Sequence, residues 1–272
     1  MTGPSAEDVT KASADWWATE ISEIKPGVIN LRGHRIAELI ENWDFISVIW
    51  LLTKGTTPTK YQSRLLTAAM VASVDHGPQA PSIASARMAI TCGIGINNAV
   101  ATGINLLGDT HGGAGQQCVE LLLEIRAQEL SGIEAQLAIS NSVAKWKKHS
   151  KYIPGFGHRF HPVDPRRGPL LDLVDEAVAN RAIEGHFIKI ARHLELFINE
   201  GRDKPIPMNI DGATAIIYAE LGIEPELARG LFCLSRGVGI LSHAWEESKN
   251  GKRIKGPMPT TILPSYIGPK VE

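Results

Sequence analysis

The chain has 272 residues, 43% of them hydrophobic and 21% charged, with 28 basic against 29 acidic side chains. That composition describes a globular protein with room for one large domain or two small ones, and a formal net charge of -1 excludes the positive field of a general nucleic-acid binder. The longest mainly apolar runs, 45–52 and 65–74, fall short of the roughly 20 apolar residues that cross a bilayer. The opening MTGPSAEDVT shows no basic stretch ahead of an apolar one, so no secretory signal is expected. Cys92, Cys118 and Cys233 match neither a disulfide framework nor a zinc ribbon; they predict reduced core thiols in a cytoplasmic protein.

A short strand is expected near Gly27 to Arg32. From Ile36 to Leu52, apolar residues recur mostly at steps of three and four, the pattern of helices that bury one face. Asn42 to Asp44 marks a break, with Asp44 placed to cap the second helix, and Gly55 stops it ahead of Thr56, Thr57 and Pro58. Further helical patterns cover Tyr61 to Asp75, Ala84 to Leu107, Ala114 to Leu130, Ile133 to Lys148, Leu170 to Glu184, His186 to Glu200, Asp211 to Leu221 and Pro225 to Ser248. A second short strand is possible only at Phe156 to Phe160. The final stretch, Lys249 to Glu272, holds four prolines and five basic residues with little periodicity, and reads as a tail that docks on something.

Residues capable of chemistry gather in the loops between these helices. Gly108 to Gly115 carries four glycines around His111 and leads into a helix. A helix start is partly positive, binds anions through its free amides and lowers the pKa of a histidine beside it. No Lys-Ser/Thr ending follows, so a nucleotide-triphosphate loop is a poor match. Tyr152 to Pro169 is the longest irregular stretch, with four prolines and three glycines around His158, His161, Asp164, Arg166 and Arg167. Loops of that length are usually functional or disordered. Here a rigidly held histidine can reach a substrate oxygen while arginines hold carboxylates. Ordinary loop roles remain the alternative. A metal at His158 and His161 lacks a completing ligand set.

Asp211 precedes a helical pattern and reads either as an N-cap or as a base. Arg236, within Ser235-Arg-Gly-Val-Gly239, interrupts an apolar helical run and needs a partner. That partner is either a ligand carboxylate or Glu246 or Glu247. Asp75-His-Gly-Pro78 ends another helix and by itself is a plain turn. Together these residues suggest carbon–carbon chemistry on a polycarboxylate, without the nucleophile motifs of hydrolases.

At these residues the chain resembles the citrate synthase superfamily. Ile29 to Leu39 with Phe45 to Pro58, Asp75-His-Gly77, Thr110-His-Gly-Gly-Ala114, Pro154-Gly-Phe-Gly-His158 with Asp164-Pro-Arg166, Asn209-Ile-Asp211 and Ser235-Arg-Gly-Val-Gly239 follow the order of that family's motifs. The resemblance implies an all-α, multi-helical fold with a large helical domain (1–150 and 205–272) and a reduced small domain (151–204) carrying the active-site loop. It implies a homodimer or higher even oligomer, with no permanently bound cofactor or metal and a coenzyme A thioester as substrate. Nucleic acid and membrane are not expected partners.

By the same resemblance, Asp211 removes a methyl proton from the acetyl thioester and His111 stabilises the enolate. His158 gives a proton to the oxaloacetate carbonyl, or takes it back in cleavage. His76, Arg166 and Arg236 hold carboxylates. Ile153, Pro154, Gly155, Phe156 and Gly157 lie along the coenzyme, with Lys147, Lys148 and Lys151 as candidates for its phosphates. The shortness of the chain, and a tail lacking Arg-Pro (Arg253 being the candidate substitute), look closer to citryl-CoA lyase and the homologous module of ATP-citrate lyase. His111 pulls the other way, since that module does not keep the Thr-His-Gly-Gly form. The expected activity is therefore retro-Claisen cleavage of citryl-CoA to acetyl-CoA and oxaloacetate. The alternatives are a compact citrate or 2-methylcitrate synthase and a non-catalytic CoA-binding subunit.

Overall fold

A computed structural model describes residues 6–251, 253–259 and 261–269. Residues 1–5 of the opening segment and residues 252, 260 and 270–272 of the tail lie outside the described residues. The chain divides into two compact units, Met1–Arg64 and Leu65–Glu272.

The first unit holds α1 (Ala6–Trp16), a small antiparallel sheet of β1 (Ser22–Lys25), β2 (Val28–Leu31) and β3 (His34–Arg35), then α2 (Ile36–Asn42) and α3 (Phe45–Lys54). The expected strand near Gly27 is thus the middle of three, pairing Ser22 with Leu31 and Leu31 with His34. The expected helix break is present. Asp44 caps α3 by accepting from the Ser47 amide at 2.8 Å, and Gly55 ends it in the left-handed region with φ 73°. Helix α1 has no counterpart in the sequence reading, because its many polar residues hide the apolar periodicity.

Helix α4 (Lys60–Ser73) crosses the boundary at residue 64. The second unit continues with α5 (Pro81–Thr91), α6 (Ile96–Ile104), α7 (Ala114–Leu130), α8 (Ala135–Trp146), α9 (Arg167–Ala179), α10 (His186–Asn199), α11 (Ile210–Glu220) and α12 (Pro225–Lys249). The single helix expected over Ala84 to Leu107 is two, parted at Gly93 with φ 88°. The second possible strand reduces to one bridge between Phe156 and Met208. No helix among the described residues is long and apolar enough to cross a membrane.

Helix α11 is the centre of this unit. Every residue from Gly212 to Ala219 is buried, as is Ile210, so the helix is enclosed on all faces rather than along one stripe. It packs against α7, α9 and α10. Its charged residues are confined to its ends: Asp211 in the first turn and Glu220 at the last position. Helix α12 covers α5, α6 and α7. Its Gly239 touches the Val74 carbonyl so closely that any side chain there would collide with main chain. The expectation of core thiols holds for Cys118 alone: Cys233 is half-buried, and Cys92 is exposed, since it sits at the break after α5.

Candidate active site

The proline-rich loop and the start of α11 are built as one body. Asn209 donates from its amide nitrogen to the Gly157 carbonyl at 2.6 Å, and its backbone N–H donates to the Gly155 carbonyl at 3.0 Å. The Gly157 N–H in turn donates to the Pro207 carbonyl at 2.8 Å. Gly155 (φ 84°) and Gly212 meet backbone to backbone, and a Cβ on Gly212 would lie 2.5 Å from the Gly155 oxygen.

The cap of α11 is Asn209, whose side-chain oxygen accepts from the Asp211 and Gly212 amides at 2.9 and 3.3 Å. The N-cap reading of Asp211 is thereby corrected. With the cap filled by a neutral residue, the Asp211 carboxylate has no hydrogen-bond partner among the described residues and lies half-buried beside Gly115 in the first turn of α7. Burial raises its pKa, with Asp164 adding to the rise, while Arg236 and Arg166 oppose it.

Two histidines have their tautomers fixed by their neighbours. Nε2 of His111 accepts the Ser82 backbone N–H at 3.2 Å and lies 3.0 Å from the Ser82 hydroxyl, which leaves the ring proton on Nδ1. Ser82 belongs to the first turn of α5, so the helix start that meets the His111 ring is that of α5. Burial and then the Arg236 charge lower the His111 pKa. Nδ1 of His158 accepts the Phe160 and His161 amides at 3.1 and 3.0 Å, which places its proton on Nε2. Its pKa is lowered mainly by burial, against the opposing charge of Asp164. Both rings are therefore neutral near pH 7, each with one directed N–H.

His76 stands edge-on to His158, ring centroids 5.9 Å apart. Its pKa is lowered by burial and by Arg236, Arg166, His158 and His111 in turn, so these groups converge on it. The His158 and His161 rings are 4.6 Å apart. No group of three or more potential metal ligands occurs among the described residues.

Both arginines rest on the C-terminal end of α4. Arg236, 5% exposed, donates from Nε to the Ser73 carbonyl at 3.0 Å, and Arg166 donates from Nη1 to the Ala72 carbonyl at 3.2 Å. Unpaired carbonyls and the helix dipole favour cations at that place. Arg236 also lies 4.9 Å over the Phe232 ring. It forms no ion pair among the described residues. The suggested partner Glu247 is taken instead by Arg87 and Lys255. A buried guanidinium without a carboxylate is costly unless a ligand supplies one. Arg166 is paired with Asp164, through Nε at 3.0 Å and Nη2 at 2.9 Å.

Ile153 to Phe156 line a cavity of about 570 Å³ together with Thr110, Trp146, His149 and Asn209. Gly157 is not part of that lining. A neighbouring cavity of about 370 Å³ shares Tyr152, Ile153 and Phe156 and adds Lys147, Lys151 and Arg202, but not Lys148. Another, of about 560 Å³, lies between α8 and α10 and touches none of the expected site residues.

A model of the citrate synthase C-terminal domain matches residues 58–257. The chain belongs to the citrate synthase family. It is 25% identical over 229 residues to the citrate synthase of Haloferax volcanii (82% of this chain, 57% of that protein) and 28% identical over 202 residues to citrate synthase 2 of Bacillus subtilis (74% and 51%). The chain thus spans about half the length of these curated relatives. Among solved structures it is similar to citryl-CoA lyase from Hydrogenobacter thermophilus, with TM-score 0.80, 29% identity and coverage of 94% of this chain and 96% of that one. ATP citrate lyase from Methanothrix soehngenii, in complex with citrate and coenzyme A, shares the fold with TM-score 0.78 at 22% identity, covering 98% of this chain and 45% of that one.

Within this citrate synthase fold, His76, His158, Arg166, Arg236 and Asp211 form one electrostatically coupled group, with His111 coupled to His76 and Arg236. The sequence reading did not single out Ser82 and Asn209, which fix the His111 ring and free Asp211. Asn209 does follow the signature of a cap residue at a helix start. Ser82 has no local signal, because its partner is 29 residues away.

Proposed function

We propose that the chain cleaves citryl-CoA, or a close analogue, to acetyl-CoA and oxaloacetate. The observation that carries the reaction class is the pair of neutral histidines with opposite tautomers, together with a half-buried carboxylate that shares Arg236 with His111 and Arg166 with His158. In cleavage, the tertiary hydroxyl gives its proton to His158 while the bond from the carbinol carbon to the methylene breaks. The electron pair enters the thioester as an enolate, whose oxygen takes a hydrogen bond from the Nδ1–H of His111. Protonated Asp211 then supplies a proton to the methylene carbon, making the methyl of acetyl-CoA. Solvent exchange restores both groups. His76, Arg166 and Arg236 hold the carboxylates, and Ile153 to Gly157 lie along the coenzyme. The end-to-end likeness to citryl-CoA lyase supports the cleavage direction, while the raised pKa of Asp211 suits a group that exchanges a proton with carbon in either direction.

One observation favours a second reading, a compact citrate or 2-methylcitrate synthase. The His158 proton on Nε2 is the form that donates to a carbonyl in condensation. Cleavage needs that nitrogen bare, so the proton must first pass to Nδ1 and the amide contacts to Phe160 and His161 must open. The experiment follows free thiol when pure protein meets acetyl-CoA and oxaloacetate. Rapid stoichiometric release of CoA overturns the lyase reading, whereas cleavage of supplied citryl-CoA without hydrolysis supports it. Asp211→Asn and His158→Ala should each lower kcat by roughly 1000-fold in folded protein; activity surviving both changes removes the assignment of the site.

We place residues 151–204 in a small domain and the rest in the large one, and read the chain as a homodimer or higher even oligomer. Leu234, Val238, Leu241 and Trp245 support the latter, forming an apolar stripe along the outer face of α12, each side chain about half exposed. Sedimentation equilibrium measures the oligomeric state directly, and a monomer at working concentration would refute it.

A further inference from the structure

Asp164 is 2% exposed and accepts from four donors. Its Oδ1 takes the backbone N–H and the Nε of Arg166, both at 3.0 Å; its Oδ2 takes Nη2 of Arg166 at 2.9 Å and the backbone N–H of Ile210 at 3.2 Å. A carboxylate has roughly four lone-pair sites, so this one is saturated and offers nothing to solvent or substrate. An ion pair serving stability alone would need only the guanidinium. Here the fourth donor is the first residue of α11, immediately before Asp211, and Nη1 of Arg166 is tied at the same time to Ala72 at the end of α4. The second hydrogens of Nη1 and Nη2 have no protein acceptor among the described residues.

We infer that Asp164 is a positioning residue that holds Arg166 and the first turn of α11 in one rigid frame, so that a carboxylate gripped by Arg166 is presented at a set distance from Asp211. This inference rests on the reading of Asp211 and Arg166 given above. The frame supplies the near-attack alignment without which proton transfer to carbon is slow. Because Asp164 is charged, it also acts on the titration of Asp211 and His158, raising both.

The test is the kinetics of Asp164→Asn. An amide must turn one donor towards Arg166 or Ile210, both donors themselves, so two of the four contacts are lost in either orientation. We expect kcat/KM for citryl-CoA to fall roughly 100-fold through changes in both constants. The limbs of the pH–rate profile assigned to Asp211 and His158 should move to lower pH, since a negative charge has been removed. Arg166→Lys should then cost less than threefold in the Asp164→Asn background, against a far larger loss in the wild type. Wild-type kcat and KM in Asp164→Asn, an unmoved profile, or losses that simply multiply would each overturn the frame.

Should Asp164→Asn not fold, Asp164→Glu carries the test. It keeps the charge but is one methylene too long, and should show the kinetic loss with no displacement of the profile; unchanged kinetics overturn the inference. Should the wild type turn over neither citryl-CoA nor acetyl-CoA with oxaloacetate, the proposed activity fails separately. Calorimetric titration of citrate into wild type and variant then decides: weaker binding by the variant supports the frame, and no difference overturns it.

Discussion

Asp211 is held where an ionised carboxylate is least comfortable, and the sign of the effect can be worked out. Its folded pKa lies above the ordinary carboxylate value, so the folded state prefers the protonated form. The favourable contribution is full below the unfolded pKa and is lost as pH rises through the folded one. Asp211→Asn, a permanent mimic of the protonated form, should therefore melt at a higher temperature than the wild type at pH 7, with the gain fading towards pH 4. A melting series across pH reads this, and equal melting temperatures at pH 7 would contradict the burial of an ionised group. Asp164 has the opposite sign. Burial pushes its pKa up, but Arg166 and the Arg166 and Ile210 amides prevail and hold it at about 2. Its contribution, on the order of 2 kcal/mol, is present above the unfolded carboxylate value and lost as pH falls towards 2. Asp211 and Asp164 are thus distinguished by opposite slopes in one experiment.

Among the elements, α10 depends on a carboxylate from another helix. Glu220, the last residue of α11, accepts the Gly185, Phe187 and Ile188 amides at 2.9, 2.7 and 3.1 Å. It neutralises the start of α10, where the local N-cap, Gly185, has no side chain to do so. Glu220→Ala should lower stability by about 1–2 kcal/mol, read from chemical denaturation, with kcat unchanged. Such long-range caps explain which parts of the fold the sequence makes legible. Helices that bury a stripe, such as Ala114–Leu130, declare their period in the chain. The break at Gly93 does not, because a glycine inside a helix costs only about 1 kcal/mol and the apolar pattern runs on past it.

The site divides in the same way. His111, His158 and Asp211 stand out because they sit beside glycines in, or at the edge of, the loops between periodic helical stretches. Whether Asn209 or Asp211 caps α11 is illegible, since both residues cap well and stand two apart; only the fold chooses. The role of Asp164 is hidden too, because its contact with Ile210 spans 46 residues.

Over the whole molecule, the tail is fixed at its root. Glu247, 1% exposed, receives Arg87 of α5 at 2.5 Å and Lys255 at 2.9 Å. The Ile254 and Lys255 amides donate to the carbonyl and hydroxyl of Thr91. The tail expected to dock therefore docks first on its own chain, while Leu263, Tyr266 and Ile267 beyond it stay exposed. Glu247→Ala removes a buried carboxylate from Arg87 and the partly exposed Lys255 and should cost about 1–3 kcal/mol, with faster tryptic cleavage at Arg253 and Lys255. Cleavage at the wild-type rate would show that the tail root is held by other contacts. The enclosure of α11 has a consequence of another kind. A helix wrapped on every side has no free face along which to slide, so Asp211 is, for the reaction we propose, a stationary origin. In the proposed reaction, adjustment then falls to the substrate, which must come into register with Asp211, the loop and Arg166 as one preset assembly.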